Sequence, residues 1–289
     1  MSHRHGKWAS AILSAQQPDG TWPAWCFHGL SMSDKSPLTT EQALRRLHAL
    51  GFTGEDEPIR RCVDTMASCL RGERKIDAYW ETGIDWAMYE PLMLAAWIRR
   101  FDPKQPDALA YARRWAKVVE AAFAEGSFNA DAWNAAYEAE FHRKARHSRP
   151  IGFTPFYHAP LLPGVLAPKV ESAMVQHILE HGMYYIYAKP LIQPPAVFAS
   201  KETSSWLAAL ELLADYPSAR KKLDFAAAYL YMCIGTDGLW DMGATANDKV
   251  YFPLSDNWRA ASSRKADCTE RIRHFLNKIT EGGAPCSVT

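Results

Sequence analysis

The sequence predicts an all-α fold, a stack of helix-turn-helix layers forming one domain over residues 1–289, on three observations. Apolar residues recur at helical spacing from Thr39 to Thr280, with glycine and proline stops between the runs. Strand-like alternation is missing; Met183-Tyr184-Tyr185-Ile186-Tyr187 is the single β-prone run, and it is short. A turn motif near one end of the chain returns, degraded, near the other. It reads Ile12-x3-Gln16-x3-Gly20-x-Trp22, then Leu230-x3-Ile234-x3-Gly238-x-Trp240. Each copy joins an apolar helical end to an Asp-Gly turn, Asp19-Gly20 or Asp237-Gly238. Gly takes positive φ freely and Asp bonds its own backbone, so the pair turns the chain. A Trp two residues on folds down as a wedge between helices, burying roughly 150–250 Å². Self-similarity of this kind marks a repeated layer, whereas one copy alone is a turn with a core anchor.

The elements follow in order. Residues 39–50 offer Thr39 and Thr40 as caps and stop at Gly51. Residues 58–71 begin with Pro58 in a first turn and set Ile59, Val63, Met66 and Leu70 on one face. Cys62 and Cys69 share a face of that helix, a spacing that suits core packing. The segments 86–100, 106–124 and 130–146 repeat the pattern, as do roughly 168–181, 203–214, 218–233 and 261–280. From residue 150 to 168, Pro150, Pro155, Pro160, Pro163 and Pro168 block helix interiors and predict a long ordered loop. Its Phe153, Phe156, Tyr157, Leu161 and Leu162 are too apolar for a solvated linker. A second proline-bearing loop runs from Pro190 to Phe198, and loops this long in a compact domain usually carry function.

The first turn motif resembles the Gln-Trp repeat of squalene–hopene cyclases and of other α/α toroids in the terpenoid-cyclase and protein-prenyltransferase superfamily. Thr39-Thr40-Glu41-Gln42-Ala43-Leu44 through Leu50-Gly51-Phe52 is similar to the helical hairpin that follows such a repeat. The second copy departs from the pattern, with Ile234 in place of the Gln. The resemblance covers about a quarter of the chain. It implies an (α/α) toroid or barrel of helical hairpins, with the two proline-rich loops over one end. It does not extend to chemistry. The Asp-x-Asp-Asp acid motif is absent, and so is an Asp-Asp pair for magnesium diphosphate. Asp267-Cys268 followed by His274 is loosely similar to the prenyltransferase zinc site, where one residue separates the Asp from the Cys. Adjacent helical residues point about 100° apart, so one ion cannot easily take both.

Composition narrows the partners. A chain of 289 residues, 48% hydrophobic and 22% charged, can bury a sizeable core. Its net charge of +1 gives no long-range field for nucleic acid or an anionic membrane. No apolar run approaches the ~18–20 residues of a bilayer span, and the opening MSHRHGKW has no secretory apolar region. The expectation is a cytoplasmic protein with no nucleic-acid partner and no stable membrane insertion. Six scattered cysteines without CxxC pairs fit a reducing compartment better than a disulfide framework. The basic pairs Arg99-Arg100, Arg113-Arg114, Arg143-Lys144 and Lys221-Lys222 read as solvated helix ends or faces.

Eleven tryptophans, many at segment ends, point to an apolar, cationic or ring-shaped ligand, although such rings also fill gaps between helices. Several helix starts set an aromatic beside a carboxylate. Trp80, Asp85 and Trp86 precede or open the helix containing Tyr89; Ser200, Glu202 and Trp206 open another; Asp256, Trp258 and Arg259 lead into the last. Unpaired N–H groups and a partial positive charge would hold Asp85, Glu202 and Asp256 ionised there. In a toroid the starts of the inner helices converge on one mouth, where these groups would share a cavity; otherwise they are ordinary caps. His158, beside Tyr157 in the proline loop, is an acid/base candidate or a residue capping a turn. The candidate catalytic residues are therefore Asp85, His158, Glu202 and Asp256. Trp80, Trp86, Tyr89, Tyr157, Tyr185, Trp206, Trp258 and Arg259 are candidates for substrate binding, and Trp22 and Trp240 are read as structural wedges.

His177-Ile178-Leu179-Glu180-His181 matches the His-x-x-Glu-His pattern of inverted zinc peptidases. Gly182 leaves His181 in a fraying last turn, and neither Glu202 nor Glu211 has a defensible spacing as third ligand. No metal or other cofactor is expected. The functional reading is an enzyme of cyclase, isomerase or lyase type. It would do acid/base chemistry on an apolar, isoprenoid-like small molecule in a deep aromatic-lined cavity. A carbohydrate-processing toroid is the alternative, and it needs two carboxylates roughly 5–9.5 Å apart across the cavity. A non-catalytic binding protein on the same scaffold is a third.

Overall fold

The computed structural model describes residues 3–25, 38–76, 85–143 and 151–280; in them it holds twelve α-helices, one 3₁₀ turn and no strand. The all-α expectation is met. Trp80, Lys144, Cys26 and Cys286 lie outside the described residues. The helices are α1 (Lys7–Ser14), α2 (Thr40–Ala49), α3 (Glu57–Leu70), α4 (Trp86–Phe101), α5 (Pro106–Ala122) and α6 (Ala130–Phe141). They continue with α7 (Pro155–Leu161), α8 (Pro168–His181), α9 (Lys201–Leu213), α10 (Ala219–Lys222), α11 (Asp224–Met232) and α12 (Ala261–Thr280).

Local chemistry sets the starts. Thr39 closes a capping box on α2: its hydroxyl accepts from Gln42 N, while the Gln42 side chain accepts from Thr39 N. Pro58, Pro106, Pro155 and Pro168 all sit in first turns, where a missing N–H has no helical partner to lose. Helix α4 buries residues on nearly every side and packs against α3, α5 and α7, so it runs through the middle of the core. One connected set of buried apolar side chains extends from Ala9 to Ile279.

Three local expectations need correction. The proline segment is not one loop, because Pro155 opens α7 and Pro160 falls near its end, positions a short helix tolerates. Tyr157 and His158 are therefore helical. Residues 218–233 do not form one helix; the chain breaks at Leu223 between α10 and α11. The run 183–187 is a turn closed by a single antiparallel bridge between Met183 and Tyr187, with Tyr185 at φ 49°.

The two turn motifs share a hydrogen-bond pattern. Trp22 Nε1 donates to Ile12 O (2.8 Å), and Trp240 Nε1 donates to Leu230 O (2.6 Å). Each tryptophan's backbone N–H donates to a threonine hydroxyl on another helix, Thr40 or Thr269, at 3.0 Å in both cases. Both wedges are buried. The turns differ in what they meet. A Cβ on Gly20 would stand 2.7 Å from the backbone of α3, and Gln16 donates to Pro58 O there (2.8 Å). A Cβ on Gly238 would meet nothing, and Ile234 is exposed. At the second turn α12 makes the contact instead, through Lys265, which pairs with Asp237 (2.6 Å).

Candidate ligand cavity

A cavity of about 810 Å³ opens among the C-terminal portions of α2, α4, α9 and α12, with α7 along one side. That volume lies in the range of small-molecule pockets. Of the candidate catalytic and substrate-binding residues that lie among the described ones, Tyr157 alone lines it. The expected convergence of helix starts does not occur here. Asp85, Glu202 and Asp256 belong to the beginnings of α4, α9 and α12, while the cavity meets the same helices at their far ends. On α4 the first lining residue, Ala96, lies three turns beyond Asp85, a rise of about 16 Å. Helical periodicity identifies a face, and it carries no information about which end of that face borders a void.

The four candidate acids and bases have structural partners instead. Asp85 pairs with Arg143 (3.2 Å), and Glu202 takes Lys189 Nζ (2.7 Å) and Tyr187 OH (3.1 Å). Asp256 accepts from Lys7 N (2.9 Å), capping α1 from the other end of the chain. His158 is fully buried, edge-on to Trp115 and Trp133, and its Nδ1 lies within hydrogen-bond distance of the Thr154 backbone that precedes α7, 2.8 Å from the carbonyl oxygen and 3.0 Å from the nitrogen. Burial pushes its imidazole down to about 4, so the ring is neutral. It is the turn-capping histidine of the two sequence readings.

The aromatic candidates divide in the same way. Trp206 Nε1 donates to Leu191 O (2.8 Å) and Trp258 Nε1 to Ala244 O (3.0 Å), both as buried anchors. Arg259 is exposed. Trp86 stands edge-on to Tyr89, and Tyr89 OH donates to Tyr157 OH (3.3 Å). Tyr185 packs near Tyr157 with ring centroids 6.4 Å apart. His177 and His181 stack at 4.1 Å, and among the described residues no three metal-ligating side chains gather. Asp267 and Cys268 part company as their 100° separation requires: Asp267 accepts from Leu254 N and Ser255 N, Cys268 from Met242 N.

The cavity wall combines rings and cations. Trp97, Phe156, Tyr157, Tyr251 and Phe275 supply apolar faces. Arg4, Arg45, Arg99, Arg100, Arg271 and Lys278 outnumber the carboxylates Glu211, Asp215 and Glu270. Each C-terminal helix end contributes about half a negative charge, so some cations there are ordinary dipole partners. Others are spoken for. Arg4 pairs with Asp56 (3.0 Å), Arg99 donates to Leu161 O, Pro103 O and Pro163 O, Arg271 forms a two-pronged pair with Glu211 (2.8 and 3.0 Å), and Lys278 pairs with Asp215 (2.5 Å). Arg99 and Arg100 thus face protein and cavity rather than open solvent, contrary to the sequence reading.

Two guanidinium groups remain. Arg45 is 5% exposed, and among the described residues none of its three nitrogens has a hydrogen-bond partner. It rests over the Phe156 ring at 4.9 Å. Arg100 likewise has no hydrogen bond among the described residues. Burial lowers its pKa and the charge of Arg45 lowers it further, with Asp215, already paired to Lys278, pulling the other way. His48, one turn beyond Arg45, keeps accessible surface that opens on the cavity. Although the side chain keeps accessible surface, crowding by the surrounding protein first, then Arg100, Lys278 and His274, push its pKa well down.

Directly behind this wall lies Glu41, 1% exposed, four residues before Arg45 on α2. Its Oε1 accepts from Trp97 Nε1 (2.6 Å) and Tyr157 OH (3.0 Å), and its Oε2 has no partner. Burial raises the carboxyl above the usual range, against the opposing effects of Trp97, Arg45 and Tyr157. Sequence reasoning passed over this group. A Glu and an Arg four apart on a helix read as a solvated surface pair, and only their position between Ala43, Leu44 and Leu47 signals burial.

No protein-family model, curated protein or solved structure matches the chain. Among the described residues no helix is long and apolar enough to cross a membrane. Cys62, Cys69, Cys233 and Cys268 are free thiols.

Proposed function

We propose that the protein is a small-molecule enzyme of terpenoid-cyclase-like toroid architecture whose substrate is an amphipathic anion. An apolar, isoprenoid-like body lies against Trp97, Phe156, Tyr251 and Phe275, and its anionic head meets Arg45 and Arg100. The observation that carries this reading is the guanidinium of Arg45, nine-tenths buried beside an 810 Å³ cavity and lacking any hydrogen-bond partner among the described residues. Burying an unpaired cation costs several kcal/mol in practice, and a bound anion removes that cost. The all-helical fold and the matched turns at Trp22 and Trp240 support the toroid. The carbohydrate reading is weaker, because Glu211 and Asp215 are held in ion pairs rather than left to act across the cavity.

A matched pair of ligands tests the proposal. Citronellate and citronellol share an isoprenoid body and differ in charge. Isothermal titration is expected to show the carboxylate binding at least tenfold more tightly, with that preference lost in Arg45→Met. Equal affinities, or no binding of either, would overturn the reading.

A further inference from the structure

The His-x-x-Glu-His segment has no part in the large cavity, but both of its histidines line a second one. This smaller cavity, about 440 Å³, lies where the start of α6, the approach to α7 and the end of α8 meet. It shares no lining residue with the first, and its volume still falls in the range of small-molecule pockets. Phe128, Trp133, Phe153 and Tyr184 supply rings to its wall. Phe128 and Phe153 are partly exposed there and Tyr184 largely so, which leaves aromatic surface open to a ligand. Among the described residues no Asp, Glu, Lys or Arg lines it, so neither a cation nor an anion would find a counter-charge.

The polar groups of the wall are Asn134, His177 and His181. The two imidazoles stack with centroids 4.1 Å apart and planes 24° from parallel, a contact that two like charges would oppose. His181 Nδ1 stands 2.9 Å from His177 O. A carbonyl oxygen can only accept, so a neutral His181 keeps its proton on Nδ1 and leaves a lone pair on Nε2. His181 is exposed, and among the described residues no donor reaches that nitrogen. Neither the Asn134 amide nor the His177 ring makes a hydrogen bond there either. The pair does not make a metal centre, because among the described residues no third ligating side chain joins it.

We propose that this cavity is a second binding site, for an uncharged planar aromatic molecule that donates an N–H or O–H to His181 Nε2. Ring faces without a counter-charge select a flat, neutral body, and an accessible acceptor lacking a donor selects the polar edge. Pockets of this kind take their affinity from apolar contact and their specificity from a few placed polar groups. The site stands independently of the anion site, since no residue belongs to both.

Indole and benzofuran make a matched pair of probes, alike in shape, of which indole alone has an N–H. Their affinities are measured by titration calorimetry at about pH 8, above the range in which imidazoles ordinarily titrate. One hydrogen bond of ordinary strength changes affinity by roughly three- to tenfold, and wild type is expected to prefer indole by that factor. His181→Phe keeps a ring at this exposed position and removes the acceptor, so the two affinities are expected to become equal. Equal affinities in wild type, an indole preference that survives His181→Phe, or no binding of either probe would overturn the proposal. The large cavity could admit indole too, and a nitrogen–proton NMR spectrum of the histidine side chains locates the binding. The Nε2 signal that His181→Phe removes is expected to move, on saturation with indole, towards the position of a hydrogen-bonded nitrogen. An unmoved signal while calorimetry records binding would put indole elsewhere and sink the site.

Discussion

Trp22 and Trp240 show how a single side chain can set a turn. Each indole bonds back to a carbonyl ten residues earlier and fills space between helices, so truncation removes a large buried ring and a hydrogen bond together. Trp22→Ala and Trp240→Ala are each expected to lower the unfolding free energy in urea by about 3–5 kcal/mol. A loss under about 1 kcal/mol would mean the wedge is dispensable. His158 makes a second prediction at this scale. Its folded pKa is near 4 and its ordinary value 6.5, so the unfolded chain takes a proton that the folded one refuses. Stability is then complete above pH 6.5, declines as pH falls towards 4, and levels off below. The interval is worth up to about 3 kcal/mol. Between pH 7 and 4.5 the loss is expected to be smaller in His158→Gln than in wild type, by roughly 2–3 kcal/mol; equal losses would show that another group controls it. His48 has the same sign, so some acid sensitivity remains in the variant.

At the scale of elements, the sequence reading succeeds wherever the physics is local. Thr39 with Gln42, and prolines in first turns, fix helix starts within a residue or two, because caps depend on neighbours only. The helix α7 escaped because five prolines outweighed the one fact that matters, that Pro155 can be a first residue and Pro160 a near-last one. The break at Leu223 has no proline or glycine to announce it. Long-range placement is where the reading fails. Asp256 stands just ahead of α12 in sequence, yet its carboxylate caps α1, some 250 residues away along the chain. Asp256→Ala is therefore expected to cost about 0.5–2 kcal/mol of stability and to leave citronellate affinity unchanged. Thermal unfolding and calorimetry on one preparation check both halves, and a tenfold loss of affinity with an unmoved midpoint would return Asp256 to the binding site.

For the whole molecule, the cavity is a liability that a ligand relieves. An open cavity of this size forfeits packing along its walls, and the unpaired Arg45 adds the cost of a buried charge. Neither is the arrangement that stability alone would select, and sites of this kind commonly trade stability for function. The trade has a measurable consequence. Methionine keeps much of arginine's length without its charge, so Arg45→Met loses the contact with Phe156, worth about 1 kcal/mol, and sheds a larger desolvation cost. The ligand-free variant is expected to be more stable than wild type by about 1–3 kcal/mol. Ligand offsets most or all of that difference. At 100 times its dissociation constant, citronellate should stabilise wild type by about 2.7 kcal/mol and the variant hardly at all. Urea unfolding with and without citronellate gives all four numbers. A variant less stable than wild type in the absence of ligand would show that Arg45 is satisfied within the fold, and the anion site would lose its foundation.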